Sequence, residues 1–172
     1  MNTMLKPETL CFDEMESPVG RLRLIASSSA LVGVWFEHGR DALRSALWMV
    51  RTPSEVLERT RAQLDEYFAG TRQEFDLPLD PRGTPFQLRV WQRLTRIPYG
   101  ETTSYGAIAH ELGNPQACRA VGLANGSNPI PIVVPCHRVI GAQGALTGFG
   151  GGLPAKRVLL ELEQQHRQPR LL

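Results

Sequence analysis

A chain of 172 residues, 42% hydrophobic and 21% charged, has the composition of a soluble globular protein of one or two small domains. No apolar run reaches the roughly 20 residues a membrane helix needs, so no membrane partner is expected. Cys11, Cys118 and Cys136 are too few and too widely spaced for a disulfide framework, and no Cys-x-x-Cys or His-x-x-x-His spacing suggests a zinc site.

The net charge of +2 conceals an asymmetry. Residues 1–82 carry 10 Lys+Arg against 13 Asp+Glu, whereas residues 83–172 carry 9 against 4. The basic half suits a polyanionic partner such as nucleic acid, although a surplus of this size also serves solubility. The first 16 residues hold acids and no signal-peptide core, which points to the cytoplasm and, with DNA as partner, to the nucleoid.

Residues 10–15, 21–26 and 31–37 alternate or cluster apolar side chains between turn signals at Ser17-Pro18 and Ser27-Ser28-Ser29, which predicts an antiparallel meander. A short helix is expected over 41–50. Residues 53–69 form an amphipathic pattern through Val56, Leu57, Leu64, Tyr67 and Phe68, with Pro53 in the first turn and Gly70 at the end. Residues 74–79 read as a further strand. Asp80-Pro81-Arg82-Gly83 reads as a linker, and the charge balance changes sign there.

Beyond it the pattern turns helical. Thr84-Pro85 starts a helix carrying Phe86, Val90, Trp91 and Leu94, ended by Pro98-Tyr99-Gly100. Ser104 caps a helix over 105–112 that buries Ala107, Ile108 and Leu112. After Gly113-Asn114-Pro115, a second short helix runs over 116–125. Such a pair fits a helix-turn-helix and equally an ordinary αα-corner. Cys118, Ala120, Gly122 and Ala124 are small, and Arg119 is the one long cation. That composition allows close approach to a DNA groove, and equally tight packing on a neighbour.

The β-branched run 130–134 predicts a short buried strand that delivers Cys136 to the lip of a pocket. A thiolate is the reactive form of cysteine, and the adjacent His137 is a group that can produce it. A lone cysteine is more often a structural residue; the quartet Pro135-Cys136-His137-Arg138 reverses that preference. The loop 141–152 holds six glycines but neither the Lys-Ser/Thr ending of a P-loop nor the Gly-x-Gly-x-x-Gly setting after a strand. It suits close backbone approach to a flat ligand instead. A last helix over 155–164 turns Val158, Leu159 and Leu162 inward, and Glu161 or Glu163 is placed to reach a histidine. The tail after Gln165 reads as frayed.

Thr84-Pro85-Phe86-Gln87, Ile97-Pro98-Tyr99-Gly100-Glu101-Thr102, Ser104-Tyr105, Arg119-Ala120-Val121-Gly122, Asn128-Pro129, Pro135-Cys136-His137-Arg138-Val139-Ile140 and Gly151-Gly152-Leu153 stand in this order. Together they resemble the O6-alkylguanine-DNA alkyltransferase family, the direct-reversal repair proteins for alkylated guanine. The resemblance is close over residues 84–163 and looser over the first 80. It implies an α+β fold: an N-terminal antiparallel-sheet α/β domain of structural role, residues 1–82, then a mostly helical, winged-helix-like DNA-binding domain with a helix-turn-helix, residues 83–172.

The resemblance implies irreversible, single-turnover transfer of the alkyl group to Cys136, with O4-alkylthymine left open as a second substrate. His137 would deprotonate Cys136 through an ordered water, and Glu163 would orient His137. Tyr105 would press on the target phosphate and donate to guanine N3. Arg119 would fill the stack in place of the flipped nucleotide, with Ser104, Ala120 and Gly122 on the DNA-binding face. Asn128 would be the hinge between recognition helix and active-site strand. Backbone groups of Cys136 and Val139 would accept from the guanine amino group, and the Gly150 N–H would donate to O6. Asn125, Pro131 and Phe149 would line the alkyl pocket. The implied partner is double-stranded DNA carrying the lesion, bound through the minor groove by a monomer, with cooperative loading left open. No cofactor and no metal are implied.

One departure stands out. Most members of the family carry tyrosine at the position of Phe149, so a hydroxyl is missing from the glycine-rich loop. Three other readings remain distinguishable. A non-catalytic alkyl-lesion recognition protein would share the DNA-binding frame and lack the cysteine. A cysteine hydrolase would turn over and would not need the Arg-Ala-Val-Gly helix. A major-groove transcription factor would need longer side chains than residues 116–125 supply.

Overall fold

The computed structural model describes residues 9–39 and 49–167. Leu10–Met15 (β1), Leu22–Ala26 (β2) and Leu31–Phe36 (β3) form the expected antiparallel meander. Period-two alternation puts Leu22, Leu24 and Ala26 on one face of β2, all fully buried. That face is covered by Glu55–Phe68 (α1), which buries Leu57, Leu64 and Tyr67 against it.

Met49–Arg51 (β4) pairs in parallel with β1, giving the order β3-β2-β1-β4 and a mixed sheet. Met49 and Val50 therefore belong to a strand rather than to the end of a helix over 41–50. The free edge of β1 offers backbone donors and acceptors, and β4 satisfies them. The rest of that expectation, residues 41–48, lies outside the described residues. Pro53 sits one residue before the extended N-cap Ser54 rather than in the first turn of α1. Gly70, at φ +75°, closes that helix.

Residues 74–79 do not form a strand. Among the described residues their only ladder contact is a single bridge between Leu79 and Leu31. Side chains of α1 take over the pairing: Gln63 Nε2 donates to Asp76 O and Gln63 Oε1 accepts from Asp76 N, both at 2.9 Å. Pro78, with no N–H, interrupts any longer ladder.

In the C-terminal half, Thr84 and Gln87 form a reciprocal capping box on Pro85–Leu94 (α2). Thr103–Ser104 (β5) runs into Tyr105–Glu111 (α3), whose Ala107 N–H is capped by Ser104 Oγ at 3.1 Å. The second helix of the pair begins as a 3₁₀ turn, Pro115–Ala117, and becomes α-helical over Cys118–Gly126 (α4). Trp91 Nε1 donates to Ala124 O at 2.8 Å and fastens α2 to α4.

The strand expected over 130–134 is absent. Pro131 and Pro135 cannot donate to a ladder, so the buried segment folds into a tight turn with Val134 N donating to Ile130 O at 2.9 Å. Ile132 is held there at φ +73°, a strained conformation for a β-branched residue. Asn128 pins the turn from both ends, donating to Val134 O at 2.8 Å and accepting from Ile130 N at 3.0 Å.

The chain continues through a 3₁₀ turn, Cys136–Arg138, into Val139–Ile140 (β6), which pairs in parallel with β5. Leu153–His166 (α5) ends the described chain apart from Arg167. Its inner stripe is Ala155, Lys156, Leu159 and Glu163, with Leu162 partly buried; Val158, one step of about 100° away from Leu159, is exposed instead of inward. A single hydrophobic core runs through both halves of the chain. Among the described residues no helix is long and apolar enough to cross a membrane.

Candidate active site

The two-residue pairing of β5 with β6 sets the site. Thr103 lies opposite Val139 and Ser104 opposite Ile140, so Tyr105, the first residue of α3, and the Cys136–Arg138 turn flank the same short ladder. Cys136 is buried and lines a cavity of about 30 Å³ with Asn125, Asn128, Pro131 and Phe149, and with Phe36 at the end of β3. Gly126, Gly148, Phe149 and Gly150 are shared between that cavity and an open groove of about 860 Å³ that also carries Tyr105, Arg119 and Gly122.

Burial pushes the Cys136 thiol from its ordinary 9.0 up to about 11; the Asn128 side chain, the Lys156 ammonium and backbone N–H groups oppose the shift without overcoming it. A thiol of that strength is ionised in roughly one molecule in ten thousand at pH 7. The nucleophile therefore needs a base beside it.

The next residue in the chain is His137. It is fully buried, and its Nε2 lies 2.7 Å from Glu163 Oε1. Burial pushes the imidazole below its ordinary value, and the Glu163 carboxylate only partly offsets this, so the ring is neutral at pH 7. A carboxylate can only accept, so Nε2 carries the proton. Nδ1 is then a lone pair, buried and without a hydrogen-bond partner among the described residues.

Glu163, fully buried on α5, is held by five donors. Tyr67 Oη at 2.7 Å, His137 Nε2 at 2.7 Å and Arg138 Nη2 at 2.9 Å meet Oε1; Arg138 Nε at 2.9 Å and Gly100 N at 3.0 Å meet Oε2. Burial alone would push this carboxyl up, but the hydrogen bond from His137 and the hydrogen bonds and charge of Arg138 hold it well below the usual carboxylate range. Glu161 is exposed, so of the two glutamates only Glu163 reaches the histidine.

Tyr105 Oη and Thr147 Oγ1 are 2.9 Å apart, linking α3 to the glycine-rich loop. Arg119 and Ala120 are exposed on α4. A Cβ added at Gly122 would lie 3.8 Å from the Tyr105 ring, an ordinary contact, so internal packing does not require glycine there. Ser104 spends its hydroxyl on the α3 cap. Phe149 packs edge-on against Phe36, with ring centres 5.4 Å apart, and faces the His137 ring at 6.4 Å. Val139 is buried, and its carbonyl accepts from Lys156 Nζ at 2.6 Å.

The sequence-derived residues thus separate into three groups. Cys136, Asn125, Asn128, Pro131, Phe149 and Gly150 surround one cavity; Tyr105, Arg119 and Gly122 line the groove; His137 and Glu163 form a buried pair with each other. Sequence reasoning missed Tyr67, Lys156, Phe36 and the role of Arg138. A signal existed for Lys156: it falls on the apolar stripe of α5, where a lysine must find buried acceptors. Its Nζ finds Val139 O and Thr147 O, the latter at 2.8 Å. Among the described residues no cluster of His, Cys, Asp and Glu could hold a metal ion.

This is an α+β protein whose helical half joins a surface groove to a buried cysteine followed directly by a buried histidine. Residues 85–165 match the family model described as 6-O-methylguanine DNA methyltransferase, DNA binding domain, and residues 11–81 match that described as 6-O-methylguanine DNA methyltransferase, ribonuclease-like domain. Relatives named methylated-DNA–protein-cysteine methyltransferase are 53% identical in Mycobacterium tuberculosis, over 87% of this chain and 90% of the relative, and 50% identical in Methanosarcina acetivorans, over 86% and 94%. A crystal structure of Mycobacterium tuberculosis OGT in complex with DNA superposes with a TM-score of 0.85 at 49% identity, covering 92% of this chain and 96% of that one. The chain belongs to the methylated-DNA–protein-cysteine methyltransferase family.

Proposed function

We propose that the protein repairs O6-alkylguanine in duplex DNA by moving the alkyl group onto Cys136, once per molecule. The observation that carries this reading is the unpartnered Nδ1 of neutral His137, the residue next to buried Cys136 in the same 3₁₀ turn. His137 Nδ1 takes the thiol proton through a bridging water, and Glu163 holds the imidazole in the tautomer that permits it. The resulting sulfur attacks the alkyl carbon in line with the C–O6 bond. A C–S bond forms, the C–O6 pair returns to the base, and a proton restores neutral guanine. The thioether has no ready hydrolysis, so the protein is consumed.

The substrate base must leave the stack to reach a cavity that is set inside the protein, at a cost of a few kcal/mol. Arg119, exposed and without an ion-pair partner among the described residues, is suited to occupy the vacated position, with Ala120, Gly122 and Ser104 against the minor groove. Tyr105 donates to N3 once its hydroxyl exchanges Thr147 for the base. The Gly150 N–H donates to O6, which improves the leaving group. The Val139 carbonyl retains a second lone pair for the guanine amino group even while Lys156 occupies the first. Asn128, which joins the end of α4 to the 130–134 turn, is the hinge; Pro131 and Phe149 wall the alkyl group. The protein acts as a monomer on chromosomal DNA in the cytoplasm.

The test is intact-protein mass after incubation with an O6-methylguanine duplex. The expected result is a gain of one methylene mass, saturating at one per protein, mapped to Cys136 and absent in Cys136→Ser. DNA binding without any mass change would reduce the protein to a lesion-recognition module.

A further inference from the structure

Among the described residues, two buried side-chain acceptors at the Cys136 site lack a donor: His137 Nδ1 and Asn125 Oδ1. The relay uses the first. Nothing described so far uses the second.

Asn125 lies in the last turns of α4, is 3% exposed, and lines the cavity that holds Cys136. Its amide orientation is set by its neighbour, because Nδ2 donates to the Cys136 backbone carbonyl at 3.4 Å. A flipped amide would press Oδ1 against that carbonyl, acceptor against acceptor. Oδ1 is therefore the acceptor left without a donor on a residue that lines the cavity. A bare buried acceptor is a standing cost to the fold that a leucine of similar shape would avoid. Its donor is then to be sought in what enters the cavity.

The chemistry of the substrate narrows that donor. Alkylation at O6 removes the N1 proton of guanine, so the 2-amino group carries the N–H donors left on the base. An O4-alkylthymine has lost its N3 proton and presents only acceptors on the same edge. The segment Gly148–Gly150 borders both the cavity and the open groove, and a Cβ at either Gly148 or Gly150 would meet nothing within 4 Å.

We propose that Asn125 determines substrate specificity: its Oδ1 accepts one N–H of the 2-amino group of the everted purine, leaving the other to the Val139 carbonyl, and so favours O6-alkylguanine over O4-alkylthymine. The inference rests on the proposed alkyl transfer to Cys136.

The test compares second-order transfer rates from duplexes carrying O6-methylguanine, O6-methylhypoxanthine (the same lesion without the amino group) or O4-methylthymine. Wild-type protein should lose about tenfold on deletion of the amino group, the worth of one net hydrogen bond. In Asn125→Leu and Asn125→Ala the guanine-to-hypoxanthine rate ratio should fall about fivefold, and the guanine-to-thymine ratio should fall with it. Equal wild-type rates on guanine and hypoxanthine lesions would overturn the inference without any variant. So would a ratio that is the same in wild type and in whichever variant keeps a cooperative thermal melt. In both cases methyl transfer itself still occurs and the repair reading survives. Transfer from none of the three duplexes would overturn both.

Discussion

The Tyr67 hydroxyl, on α1 of the N-terminal half, donates to Glu163 Oε1 at 2.7 Å, so the carboxylate that holds His137 is itself held from the other half of the chain. Burial, reinforced by the neighbouring Glu163 charge, pushes the Tyr67 hydroxyl well above its ordinary value, and it remains a donor throughout the working pH range. The N-terminal half is thus part of the site's support as well as its scaffold.

Tyr67→Phe keeps the ring and deletes that donor. A buried carboxylate deprived of one hydrogen bond should lower stability by about 1–3 kcal/mol. The less-solvated carboxylate draws more strongly on the His137 proton, so the acid limb of the transfer rate should move to higher pH. Urea unfolding and a pH–rate profile measure the two effects. An unchanged midpoint together with an unchanged profile would show the contact to be incidental.

The pH dependence of stability follows from three shifted groups. His137 is depressed by burial, so its contribution is complete above its ordinary 6.5 and declines as pH falls below that toward the folded value. Glu163, depressed through its partners, contributes fully above 4.5 and loses that contribution as pH falls further. Cys136 is raised by burial from 9.0 to about 11, so its contribution is present below 9.0 and is lost as pH rises across that interval. The summed contribution of these three groups should therefore plateau between pH 6.5 and 9.0 and decline on both sides. Unfolding free energy that continues to rise on acidification below 6.5 would contradict the assignment of His137 as a buried neutral base.

Much of this could be read in the sequence, and the remainder could not for physical reasons. The meander, the capped helices and the Cys136-His137 pair follow from local patterns: alternation, the Thr84 and Ser104 caps, and adjacency in the chain. Residues 130–134 misled because β-branched composition describes burial as well as strand, and only the two flanking prolines decide between them. Tyr67 reads as one more apolar position on α1. Its partner is 96 residues away, and no pattern along a helix reports a contact of that length.

Lys156 offers a separate test of the loop that closes the cavity. Its buried Nζ bridges Val139 O and Thr147 O, and burial lowers its pKa against the pull of Cys136. Lys156→Met preserves length and removes the bridge and the charge. Two carbonyls then lose their donor, with an expected cost of roughly 1–3 kcal/mol. The Cys136 thiol loses a stabilising cation and should react more slowly with iodoacetamide at fixed pH. A faster reaction would mean that loosening the loop, rather than the lost charge, governs access to the thiol.

Phe149→Tyr adds the hydroxyl that the family resemblance leads one to expect at this position. The ring is wedged edge-on against Phe36, so the added oxygen enters a site whose shape is already fixed. A donor near O6 stabilises the departing base, and the transfer rate should rise severalfold for methyl or benzyl lesions. Equal second-order rates for variant and wild type on both lesions would show that backbone groups alone serve O6.

Arg119 separates binding from chemistry. Affinity for undamaged duplex should fall steeply with salt and vary little with sequence, because phosphate contacts dominate it. Arg119→Ala removes one cation, which should lessen the salt slope by about one. It also removes the group placed to fill the vacated stack, so transfer from duplex O6-methylguanine should slow about tenfold or more, in keeping with the few kcal/mol of base extrusion. The free O6-benzylguanine base needs no extrusion. Its rate with the variant should stay close to that of wild type, which makes the ratio of duplex to free-base rates the decisive quantity. A proportional loss on both substrates would assign Arg119 to the integrity of the site and leave the stack unfilled by this residue.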